Sequence, residues 1–136
     1  MKTEGFRKQH AEILTLVHHL KADLKNLNPS LHFQTFRNQI THLLGKVQVH
    51  LTMEDHVLYP ILMQSRSQDL SSLAQDYQTE MGGIKRGLIN FTQEWTAEKM
   101  REEPEGFGRA GFTLLAELET RIERENEQLY TQYDAL

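Results

Sequence analysis

Apolar residues recur along this chain at steps of three and four, in four separate stretches. The first runs through Phe6, His10, Ile13, Val17, Leu20 and Leu24. The second runs through Phe36, Ile40, Leu43, Val47, His50, Glu54, Val57 and Ile61, and the third through Leu70, Leu73, Tyr77, Met81, Ile84, Leu88, Phe91 and Trp95. The fourth is looser: Leu115, Leu118, Ile122, Glu125 and Leu129. Such spacing lines up one face of an α-helix, so each stretch reads as a helix with one buried face. Turn residues cluster at 26–30, 65–69 and 101–108, the last around Pro104. Long helices joined by short loops predict an all-α, antiparallel up-down-up-down four-helix bundle. Residues 1–136 are read as one such domain. Gly82 and Gly83 fall in mid-helix. There they predict a close helix contact or a kink, at roughly 1 kcal/mol each against alanine.

Composition narrows the chemistry. The 136 residues include no cysteine, which excludes disulfides, thiolate metal sites and thiol nucleophiles. Net charge is -4 with acids and bases interspersed, so no basic face is offered to nucleic acid. No segment approaches the ~20 apolar residues needed to cross a membrane. The opening MKTEGFRKQH lacks the apolar stretch of a secretory signal. A cytoplasmic location is therefore expected. Neither a Gly-rich phosphate loop nor a nucleophile motif is present.

His10, His50, Glu54 and Glu125 occupy stripe positions where Leu or Ile would be expected. A buried carboxylate without a partner is prohibitively costly, so each needs a cation or hydrogen bonds. His50 and Glu54 lie one helical turn apart on one face, and an imidazole and a carboxylate so placed can converge on one ion. A lone core histidine is more often hydrogen-bonded structure than ligand. Four such groups on three stripes point instead to a shared metal ion, and nitrogen with oxygen donors suits iron, manganese or zinc.

The segment His50-Leu51-Thr52-Met53-Glu54-Asp55-His56-Val57-Leu58-Tyr59-Pro60 resembles the second-helix motif of the hemerythrin-like, or HHE cation-binding, family. The stretch from Arg121 to Tyr130 is similar to its fourth-helix counterpart, and His10, four residues after Phe6, sits where the family places its first-helix histidine. The resemblance covers essentially the whole chain. It implies a four-helix bundle around two non-haem irons, held by five histidines and two bridging carboxylates, and serving oxygen binding, sensing or iron handling. Here the family's third-helix histidines are replaced by Tyr77 and Met81, and the fourth-helix histidine by Arg121. By that resemblance His10, His50, Glu54 and Glu125 remain as one half-site for a single ion. Iron is expected, with zinc or manganese as alternatives and O2 or NO as an exogenous ligand.

Arg121 is expected either to lie at the vacated metal position, offsetting Glu54 and Glu125, or to point outward and pair with Glu117 or Glu125. Tyr77 reads as a core aromatic whose hydroxyl finds a partner, Met81 as filler and Glu80 as a solvated edge residue. His18 lies near the face of His10, and His32, His42 and His56 fall off the stripes. Two functional readings follow. One is a non-catalytic metal-binding protein, a sensor or carrier of iron or of a small ligand. The other is a metal-free bundle acting as an interaction module, with the stretch from Glu98 to Phe107 as a contact region. A di-iron oxidase is disfavoured, because the core positions carry no paired Glu-x-x-His motif.

Overall fold

The computed structural model describes residues 2–25 and 32–136, and helices are the regular structure found there. In chain order these are α1 (Glu4–Lys25), α2 (Phe33–Met53), α3 (Tyr59–Met63), α4 (Gln68–Glu94), α5 (Ala97–Glu102), α6 (Pro104–Arg124) and α7 (Tyr130–Asp134). Two π-helical turns, Glu54–Leu58 and Glu125–Leu129, join α2 to α3 and α6 to α7 without a break. Helix α1 packs against α2 and α6, and α4 packs against the same two. The four long helices thus close a ring around one interior, the bundle that the stripes predict. The turn expected at 26–30 lies outside the described residues. Among the described residues no helix is long and apolar enough to cross a membrane.

Local signals set the ends. The Ser67 side chain caps α4 by accepting from the Leu70 amide, and Thr96 caps α5 by accepting from that of Lys99. The loop expected over 101–108 is shorter than its composition suggests. Pro104 opens α6 at a position where the missing N–H costs nothing, so the break narrows to Glu103. The close approach expected at Gly82 and Gly83 is not found: a Cβ at either would meet nothing within 4 Å. Gly111 carries it instead, since a Cβ there would lie 3.0 Å from the Leu24 side chain and 3.4 Å from Phe91.

The first and third stripes are buried nearly as read, with Ala74 taking the place of the half-buried Leu73. The second departs in a systematic way. Val57 and Ile61, expected inside, are 47% and 48% exposed, while Leu58, Tyr59 and Leu62 are buried. The cause is the π-turn, in which the Tyr59 amide bonds back five residues to the Glu54 carbonyl. One extra residue in a turn shifts everything beyond it by one position on the helix face. Pro60 favours such a turn, because a proline within a helix clashes with the carbonyl four residues back. It is not the whole cause. The turn at Glu125 has the same five-residue bond, from Tyr130, and Thr131 follows it in place of a proline.

The buried apolar residues form two clusters. One gathers Ile13, Val47, Leu51, Met81 and Ile122 with the aromatics Phe36, Phe91, Trp95 and Phe107. The other gathers Phe6, Leu58, Tyr59, Tyr77, Leu129, Tyr130 and Tyr133. His10 on α1 and the π-turn residues Glu54 and Glu125 separate the two, and on α4 the apolar wall of Tyr77 and Met81 runs through.

Candidate metal centre

His10, His50, Glu54 and Glu125 meet in the gap between those clusters. Each is at most 1% exposed, and one donor atom from each lies within 4.8 Å of the other three. His10 Nε2 is 3.1 Å from Glu125 Oε1, and His50 Nε2 is 3.0 Å from Glu54 Oε1 and 3.7 Å from Glu125 Oε1. Donors about 2.1 Å from a common ion stand roughly 3.0–3.4 Å apart. These three separations match that span or slightly exceed it.

The outer faces of the rings are fixed. His10 Nδ1 lies 2.7 Å from the Asn126 side-chain oxygen, and His50 Nδ1 lies 2.7 Å from that of Gln9. An amide oxygen only accepts, so each Nδ1 carries a proton. Nε2 of each ring then faces inward, the orientation that a ligating histidine needs. The Oε1 atoms of both glutamates are buried and accept no hydrogen bond, although ring nitrogens lie 3.0–3.1 Å away. Two nitrogens and two oxygens therefore converge with no hydrogen bond found between them. That arrangement calls for positive charge at its centre, supplied by a cation or by protons.

The other carboxylate oxygens are satisfied, and in a crossed manner. The Tyr59 hydroxyl donates to Glu125 Oε2 at 3.0 Å, and the Tyr130 hydroxyl donates to Glu54 Oε2 at 2.8 Å. Each tyrosine follows the glutamate of its own helix by five residues and serves that of the other helix. Burial first, and then the charges of Glu125 and Glu54, push both phenols far above the usual tyrosine range, so both remain donors. Burial and then the charge of Glu125 likewise push the Glu54 carboxyl well above the usual carboxylate range. Without a cation, that shift favours a proton on Glu54.

The remaining candidates lie elsewhere. Arg121 pairs with Glu80 of α4 at 2.7 Å, so neither arrangement expected of it is found: it reaches neither Glu54 nor Glu125, and Glu117 is not its partner. Glu80 stays a solvated edge residue, its side chain 40% exposed, and it is the α4 partner of Arg121. Tyr77 donates to Gln128 at 2.7 Å, the partner expected of a core aromatic. His18 is exposed and pairs with Glu119 at 3.4 Å, away from the cluster, and His32, His42 and His56 lie on the surface. Gln9, Asn126, Tyr59 and Tyr130 were not singled out from the sequence as site residues. Their signals were present as the residues flanking His10 and Glu125, and as a Leu-Tyr pair four and five residues after each glutamate.

A family model, the hemerythrin HHE cation binding domain, matches residues 1–133. No curated protein and no solved structure matches the chain.

Proposed function

Because this chain belongs to the hemerythrin HHE cation-binding family, we propose that it holds one metal ion through His10, His50, Glu54 and Glu125. The observation that carries this reading is the pair of buried, unpartnered Oε1 atoms facing two inward-aimed histidine nitrogens. Iron is the first expectation, and zinc or manganese would suit the same donors. An ion bound there would supply Lewis acidity and, if iron, one-electron redox chemistry. The chain's own part is to hold the imidazoles in one tautomer, to present one oxygen from each carboxylate and to exclude bulk water. A second ion is not expected, because Tyr77, Met81 and Arg121 stand where the family's remaining histidines would be, and the tyrosines occupy both Oε2 atoms.

Metal analysis of tag-free protein beside a His50→Ala control tests this. About one iron, zinc or manganese per chain, lost in the control, is the expected result. Two ions per chain, or none after anaerobic loading with ferrous iron, would overturn it. Binding to the native state also raises stability by about 2.7 kcal/mol at a hundredfold excess over the dissociation constant.

One observation favours a second reading, a metal-free bundle used as an interaction module. With Glu54 protonated and both Oε2 atoms bonded to tyrosines, protons can supply part of the positive charge that the cluster needs. An unloadable protein of unchanged fold would select that reading.

A further inference from the structure

Resting on the one-ion reading above, we infer that Tyr130 closes the coordination position that a small exogenous ligand would need, so that the centre holds an ion without opening it to a diatomic molecule. The Tyr130 oxygen is a near neighbour of three of the four donor residues: 2.8 Å from Glu54 Oε2, 3.1 Å from His10 Nε2 and 3.3 Å from His50 Nε2. The two distances to nitrogen are those of adjacent donors around one ion. Its single proton is directed to Glu54, so towards the ring nitrogens it offers lone pairs, as a fifth donor or an oxygen plug would.

The phenol is packed on several sides. Its ring stacks on His10, with centroids 4.9 Å apart and planes 10° from parallel, and Phe6 lies 5.9 Å away on centroids. The Arg7 guanidinium stands 5.4 Å from the ring centre and is tied to the Asn126 carbonyl and to the Thr3 hydroxyl. Tyr130 itself is fully buried. Tyr59 provides the built-in comparison. It is equally a buried phenol donating to a carboxylate, but it reaches Glu125 Oε2 and bonds to neither histidine.

Sites whose role is to hold an ion are closed by protein donors, and sites that react keep a position open. By that rule the present centre belongs to the first kind, and one oxygen atom separates it from the second. Removing that atom should turn a holding site into one that takes an anion or a gas.

The test uses cobalt(II), whose visible absorption reports its coordination, with azide as the added ligand. Wild type, Tyr130→Phe and Tyr59→Phe are loaded and titrated, with circular dichroism as the check on folding. The expected result is no azide response in wild type or Tyr59→Phe and a saturable change in Tyr130→Phe, at least about tenfold tighter than any in wild type. A Tyr130→Phe protein that is folded but no longer retains cobalt, while Tyr59→Phe does, also supports the assignment, since the oxygen then helps to hold the ion. Azide binding to cobalt-loaded wild type within about tenfold of that to Tyr130→Phe would overturn the inference and leave the metal reading standing. So would a folded, loaded Tyr130→Phe that ignores azide. If Tyr130→Phe does not fold, the wild-type titration decides alone: an azide response overturns the inference and its absence supports it. No cobalt uptake by wild type would remove the metal reading and this inference with it.

Discussion

The π-turn at Glu54 makes an unusual demand: one residue there should be removable. Leu58, Tyr59 and Leu62, all buried, follow Glu54 by four, five and eight positions. Deleting Val57 would bring them to three, four and seven, the spacing of one face of an ordinary α-helix. Val57 is itself 47% exposed, so the deletion sacrifices no buried side chain, and its cost should stay within about 1 kcal/mol. Deleting Thr41 from the regular part of α2 is the contrast. Each residue advances the helix by about 100°, so Leu43, Val47 and Leu51 would all leave the core. At about 1.5–3 kcal/mol per buried aliphatic side chain, the loss is about 5–9 kcal/mol, comparable with the ~5–15 kcal/mol that holds such a domain folded. Urea unfolding followed by circular dichroism separates the two. The Val57 deletion should keep a midpoint near that of the parent with the same slope, and the Thr41 deletion should have no folded baseline. If both deletions unfold the chain, or both are tolerated, the register assigned to this turn is wrong.

Other expectations follow from the same geometry. Replacing Gln9 or Asn126 with Leu removes the acceptor that fixes one ring, and should weaken metal binding by about 10–100-fold with the ligands intact, as read by competition with a chelator. Arg121→Leu breaks a half-exposed pair with Glu80, and should cost under about 1 kcal/mol in thermal unfolding with no change in metal content. For pH, the Glu54 pKa is raised in the folded chain, so its proton favours folding below the ordinary carboxylate pKa. That contribution fades as pH rises through the raised value. A cation takes the place of that proton, so the gain in melting temperature on metal addition should widen as pH rises above the ordinary carboxylate range. A constant gain would contradict the proton's assignment to Glu54.

Much of this was legible from residue order, and the failures share a cause. The stripes gave the helices and the four polar intruders because burial acts on residue type at fixed spacing, and His10, His50, Glu54 and Glu125 do meet. Val57 and Ile61 were placed inside because a 3.6-residue period was carried through a turn that holds five. The π-turn leaves a trace only as the repeated Glu-x-x-x-Leu-Tyr. Arg121 was misjudged for another reason: both alternatives drew its partner from the second or fourth helix, and Glu80 lies on α4, the helix packed beside α6. Gln9 and Asn126 escaped notice because polar residues beside a stripe look like any solvated edge until the ring nitrogens they hold are placed.

The crossed tyrosines also bear on how the chain reaches this state. The bond from Tyr59 to Glu125 spans 66 residues and that from Tyr130 to Glu54 spans 76. Closing such loops is entropically costly, and long-range contacts of this kind delay folding when they must form early. Neither bond can form until the helix pair carrying Tyr59 and Glu54 has docked against the one carrying Glu125 and Tyr130. The crossing is therefore expected late on the folding route. Loss of either hydroxyl should speed unfolding while leaving the folding rate nearly untouched. The donor set at the heart of the bundle would then act less as a seed for the fold than as its final lock, one that sets how long the native state lasts.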